Sequence, residues 1–156
     1  MAEILDVAKY FILLSEPNTK RNITHLKLQK LVYYAHAWNL ALYQEPLFLD
    51  DIEAWVHGPV IPELYDAYRE YGYTEIYYSN DLPGNTEDLM NNEIDIIEAT
   101  WEMYGQYSGK YLENLTHLEN PWINARQGQD YYDHGNNIIE NQDIQEYYAA
   151  RLQGDN

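Results

Sequence analysis

The sequence predicts a mainly α protein: a single compact helical domain with at most a small β-sheet. Three observations carry this. Apolar residues recur at spacings of three and four through most of the chain, the stripe of an amphipathic helix. Capping residues and prolines stand at the heads of these stretches, with Gly or Pro beyond their ends. Runs rich in strand formers are confined to Leu47–His57 and Glu75–Tyr78. With 156 residues, 46% of them hydrophobic, the chain has room for one domain with its own core.

In chain order, Ile4, Leu5, Ala8, Phe11, Ile12 and Leu13 predict a first helix over Ala2–Leu14, ended by Ser15-Glu16-Pro17-Asn18. Leu28, Leu31, Val32, Ala35, Trp38, Asn39 and Leu42 predict a long central helix over Thr24–Tyr43, capped by the Thr24 side chain. Pro46 forbids its continuation. Leu47–His57 reads as extended, Gly58-Pro59 as a turn, and Pro62 as the first turn of a helix running to Gly72. Glu75–Tyr78 is expected to pair with Ile52–Val56. Asn80–Asn92, with Pro83-Gly84, reads as the most mobile internal loop. A helix from a cap at Asn92 to Gly105 follows, then short helices behind Ser108 and Asn120-Pro121, a polar loop over Gln127–Asn137, and a last helix over Asn141–Leu152.

Three blocks, KLQKLVYYAHAW from Lys27, EAWVHGPVIPELY from Glu53 and LTHLENPWINAR from Leu115, stand in an order that resembles the Panacea domain family, which includes the SocA-type proteolytic adaptor. The resemblance runs from Ile4 to Arg126, so residues 1–126 are expected to form a Panacea-like domain, with 127–156 a loop and helix packed on it. It implies an antitoxin that neutralises a cognate protein toxin by direct binding. The alternative it implies is an adaptor that delivers a toxin to a bacterial protease as a second partner. Either reading places the chain in a bacterial or phage toxin–antitoxin system.

The net charge is −17 and unevenly spread. Residues 1–44 hold five of the nine Lys and Arg against three acids, and residues 45–156 hold the other four against 23. So much acid argues against nucleic acid, whose phosphates need basic clusters, and suits a basic protein partner. Lys20, Arg21, Lys27 and Lys30 read as a solvated face and loop or, in a sharper reading, as a small basic patch on an acidic body that docks and orients an acidic partner. Cysteine is absent, which excludes disulfides and thiolate chemistry. Neither a basic leader nor an apolar run of about 20 residues is present, so a cytoplasmic location away from membranes is expected.

Catalytic signals are weak. His36, His57 and His117 fall in the three blocks and would suit zinc if they converged, or a small His-dependent hydrolase. No pair has the spacing of a metal motif, and a histidine on an apolar face is more often a hydrogen-bonded core residue. His25 and His134 read as surface residues. Asp50, Asp51 and Glu53 read as a solvated turn rather than an acid–base pair, and no serine has a nucleophile-elbow context. The expectation is therefore a binding protein without catalytic residues, cofactor or metal.

The 17 tyrosines suit partly wet contact surfaces or the edge of the core, while Trp38, Trp55, Trp101 and Trp122, with their apolar neighbours, read as core. Neighbouring residues on a helix point about 100° apart, so one of each of the pairs Tyr33-Tyr34, Tyr131-Tyr132 and Tyr147-Tyr148 is expected near the surface. If family members bind different toxins, contacts belong outside the shared blocks, in Asn80–Asn92 and Asp130–Tyr148. The expected partner-binding residues are Lys27, Lys30, Tyr34, Asp88, Tyr131, Tyr132, Tyr147 and Tyr148.

Overall fold

The computed structural model describes residues 1–154; Asp155 and Asn156, the end of the expected C-terminal segment, lie outside the described residues. Seven α-helices and one two-stranded sheet follow in the order α1 (Ile4–Leu14), α2 (His25–Tyr43), β1 (Glu53–Trp55), β2 (Gly58–Val60), α3 (Pro62–Tyr68), α4 (Asn91–Tyr104), α5 (Gly109–Thr116), α6 (Asn120–Ala125) and α7 (Asn141–Leu152). The mainly α expectation holds, with the sheet as small as anticipated.

Helix α2 is the axis of the molecule. The Thr24 hydroxyl accepts the Lys27 N–H and starts it, and Gln44, in the left-handed region, ends it before Pro46. Helices α1, α3, α4, α5 and α7 and strand β2 all pack against it. As a result nearly every α2 side chain is buried, polar ones included, where the sequence stripe implied one wet face. A helix wrapped on all sides must answer each buried polar group with a partner, and neighbouring backbones supply most of these. Lys27 Nζ donates to Gly105 O at 2.6 Å and Lys20 O at 3.2 Å, Lys30 Nζ to Pro59 O at 3.1 Å, and Asn39 Nδ2 to Glu45 O at 2.9 Å.

The sheet departs from the expected pairing. Ala54 pairs with Pro59 across a two-residue turn at Val56-His57, so Gly58-Pro59 is strand rather than turn. A local hairpin closes at lower entropic cost than a pairing across α3. The other edge of β1 is met by the C-terminal segment: Ala54 and Val56 N–H donate to Asn137 O and His134 O, and Ile139 N–H to Ile52 O, each at 2.8 Å. The Glu75 stretch turns to the start of α2 instead, with Ile76 N–H on Ile23 O and a bridge between Thr24 and Glu75.

The loop before α4 is also corrected. It is fastened to α1: Lys9 Nζ donates to Asn80 O and Gly84 O, and Asp6 Oδ1 accepts Asn85 N–H at 2.7 Å. Leu82 and Leu89 are buried beneath it. Gly84 has φ +103°, and a Cβ there would meet Leu5 O at 2.5 Å. Gly84→Ala is therefore expected to lower stability by about 1–3 kcal/mol, because the left-handed strain and the backbone clash act together. Urea unfolding would show it, and an unchanged midpoint would mean that the loop can lift off α1 at no cost.

Candidate functional site

Four of the eight expected contact residues are inside the molecule. Lys27 and Lys30 are 1% and 0% exposed, and Tyr34 and Tyr148 are fully buried. They are corrected here from surface to scaffold, for the reason just given: α2 has no wet face. With Arg21 held between Glu16 and Glu102, the expected basic patch does not exist as a surface. Tyr33 and Tyr34 are both buried, and Tyr131 and Tyr132 both exposed, so only Tyr147-Tyr148 divides as its pair was expected to.

Tyr34 and Tyr148 meet on a residue that sequence reasoning passed over, Glu119. Its Oε1 accepts Tyr34 Oη at 2.8 Å and Tyr148 Oη at 2.6 Å. Burial raises the Glu119 carboxyl above the usual carboxylate range, and the two hydroxyls pull it back down. Tyr104 stacks on Tyr34 with centroids 4.3 Å apart and accepts the Trp38 indole N–H. One carboxylate thus ties α2 and α7 to the head of α6, and Tyr104 joins α4 to the cluster through Tyr34 and Trp38. The available signal was the position of Glu119 immediately before Asn120-Pro121, where the N-terminus of a helix favours an acid. Tyr148→Phe should leave the buried carboxylate with one donor and cost about 1–3 kcal/mol, measurable as a lower melting temperature.

Of the remaining candidates, Asp88 lies exposed in a 3-10 turn (Thr86–Asp88) that packs on α1. Tyr147 is half-buried beside a cleft of about 420 Å³ that Asn120, Asn124 and Arg151 also line. Tyr131 and Tyr132 contact each other at 5.1 Å, and Tyr132 is 87% exposed. Arg126, also missed, shapes their loop: its guanidinium donates to the carbonyls of Ala54, Asp130, Tyr131, Asp133 and His134.

His36, His57 and His117 do not form one cluster: His36 lies apart beside Phe48 and Asn141, while His57 and His117 both neighbour Glu113. His36 is buried against Phe48, with Nδ1 accepting Leu47 N–H and Nε2 facing Asn141 Oδ1. His57 Nδ1 lies 3.2 Å from Glu113 Oε2, and His117 stacks on Trp122 at 3.9 Å. Among the described residues, no group of three or more His, Asp or Glu is placed to hold a metal. His25, expected at the surface, is buried, while His134 is exposed as anticipated. Of the acidic turn, Asp51 is exposed, Asp50 faces Glu63 and raises its carboxyl above the usual range, and Glu53 accepts the Trp55 indole.

A second concavity was not expected at all. A groove of about 660 Å³ runs between the start of α2, the hairpin, α3 and α5. An aromatic series lines it: His25 meets Tyr65 edge-on at 4.9 Å, Tyr65 meets Trp55 at 4.7 Å, and Trp55 meets His134 at 4.2 Å. Lys30, Gln29 and Glu113 are buried residues that also border it. Burial lowers Lys30 to about 7 against the opposing pull of Glu113, and burial with Lys30 nearby lowers His25 to about 4. Glu113 Oε2 is shared by His57 and Lys110. Gly58 permits this closeness: with φ +105°, a Cβ there would meet Lys30 Cε at 2.7 Å and Thr116 Oγ1 at 2.9 Å.

Compared with known proteins, the chain matches one family model over residues 28–123, described as "Antitoxin SocA-like, Panacea domain". The matched stretch takes in Lys30, Tyr34, Gly58, Glu119 and most of the groove lining, and leaves out α1, Arg126, Tyr131, Tyr132 and α7. No curated protein and no solved structure matches the chain.

Proposed function

The chain belongs to the SocA-like Panacea domain family, more than half of its length matching, and from that premise we propose that it is an antitoxin that holds a cognate protein toxin inactive by direct binding in the cytoplasm. Family membership is the observation that carries this reading. The charge of −17 supports a basic partner, because complementary fields speed encounter and fix orientation. The exposed Tyr131 and Tyr132 supply aromatic area of the kind that dominates protein contacts. The chain acts as a binding protein and not as a catalyst, its histidines serving packing and hydrogen bonding.

The test is co-expression with the protein encoded next to it, followed by sizing of the purified pair. Rescue of growth with a stable complex is the expected result. The family description also favours a second reading, an adaptor handing the toxin to a protease. Rescue that leaves no stable complex and disappears in a protease-deficient host would replace the first reading by the second.

A further inference from the structure

The groove between α2, the hairpin, α3 and α5 has features that the fold does not account for. Gln29 is 1% exposed, and its Oε1 accepts Ile61 N–H, yet its Nε2 has no partner. His25, 9% exposed, has neither ring nitrogen bonded. Buried polar groups without partners are costly, and such groups bordering a concavity are left to meet a ligand. The lining also gathers charge against the trend of the chain. Arg69 and Lys110 border it from the surface, Lys30 lies fully buried behind them with its amine on Pro59 O, and Glu113 is the one acid in the lining. Arg69 is exposed and enters no ion pair among the described residues.

The chemistry that fits is an acid with apolar neighbours. The aromatic walls formed by Trp55 and Tyr65 suit apolar side chains, and the cations and the free amide suit a carboxylate. A nucleotide or nucleic-acid strand fits less well, because several phosphates would have to approach a body of net charge −17. A volume of about 660 Å³, open on one side, accepts a few residues of extended chain.

We propose that this groove binds an extended segment of a protein partner and seats one carboxylate of that segment on its cationic lining, with the Gln29 amide donating to it. The proposal takes its protein partner from the antitoxin reading and adds where and how that partner is held. The acidic body attracts a basic protein, and the groove fixes its register through one inserted acid. Specificity then comes from a local charge opposite in sign to the global field.

The experiment selects binders to the full chain from a random heptapeptide library and titrates the enriched peptides against ¹⁵N-labelled protein. Enriched sequences are expected to carry Asp or Glu beside apolar residues and to shift the Gln29 side-chain amide and the Trp55 indole resonance. Replacing the acid by its amide, or using the Arg69→Ala/Lys110→Ala protein, should weaken binding about tenfold. Both replaced residues are exposed, and circular dichroism verifies that the fold is kept. The absence of enrichment, enrichment of basic peptides alone, or binding indifferent to the double substitution would overturn the proposal. Displacement by acetate at equal concentration would also overturn it, assigning the groove to small organic acids. Growth rescue by the same variant separates the two readings. Rescue equal to that of the unsubstituted protein removes the groove and leaves the antitoxin standing. Failure of the unsubstituted protein to rescue removes the antitoxin, and the peptide titration still judges the groove.

Discussion

Replacing Arg126 by methionine should release residues 127–137 from the body of the molecule while α2 keeps its place. The guanidinium is 7% exposed and donates to five backbone carbonyls, at 2.8 to 3.1 Å, four of them within residues 130–134 and one on Ala54 of β1. Those carbonyls converge because the two Nη groups of a single planar fork can satisfy them, a geometry lysine cannot supply. Methionine keeps the stem packed and removes every donor. Hydrogen bonds to a charged group are worth about 1.5–3 kcal/mol each, but carbonyls that leave with the loop regain water. The net loss is therefore expected near one buried partner, about 3 kcal/mol, rather than near five. A lower melting temperature with new protease cleavage inside 127–137 is the expected outcome. An unchanged melting temperature with the loop still protected would show that the strand-like bonds of 134–139 to β1 hold it alone. On the antitoxin reading the same substitution also weakens the toxin complex, because Tyr131 and Tyr132 are carried by that loop.

Arg126 also marks the limit of what the residues disclosed. Helix positions, the Thr24 and Ser108 caps and the proline-headed helices were legible because each rests on groups within a few residues of one another. The family was legible from three blocks of chain. What failed was the inside–outside assignment of polar residues. Lys27 and Lys30 look like the wet side of a stripe until α5, β2 and the Gly105 turn close over them, and the carbonyls they bond there come from 29 to 78 positions further along. The hairpin was missed because Gly58-Pro59 signals a turn in almost any context, whereas here the turn precedes it. The groove could not be read locally: its walls come from four elements, and its defining property is the lack of partners for Gln29 and His25, which no spacing encodes.

The second large effect is expected with pH. His36 Nδ1 accepts Leu47 N–H, so the proton of the neutral ring sits on Nε2 and points at Asn141 Oδ1. A second proton would have to go onto Nδ1, setting one donor against another in a fully buried site. Burial lowers His36 to about 4, against the smaller opposing effects of Asn141 and Asp50, and His25 falls to about 4 by burial and by the charge of Lys30. In the unfolded chain both titrate near 6.5. Between pH 6.5 and 4 the unfolded state therefore binds more protons than the folded one, and stability must fall as the solution is acidified. For the enclosed His36 the loss reaches about 3 kcal/mol by pH 4; His25, beside an open groove, contributes less. Glu119 acts in the opposite sense: its raised carboxyl takes up a proton in the folded state first, returning some stability over the same acid range. Lys27 and Lys30, lowered to about 8 and about 7, extend the rise in stability above neutrality, where the unfolded chain still holds their protons. Urea midpoints should therefore climb steadily from pH 4.5 to pH 9. The variant His36→Gln, which retains a donor and an acceptor but no titration, should flatten the acid limb by about half. A flat acid limb in the unsubstituted protein would mean that His36 can take its second proton in place, and that the packing of the Leu47 turn over α2 is loose enough to admit water.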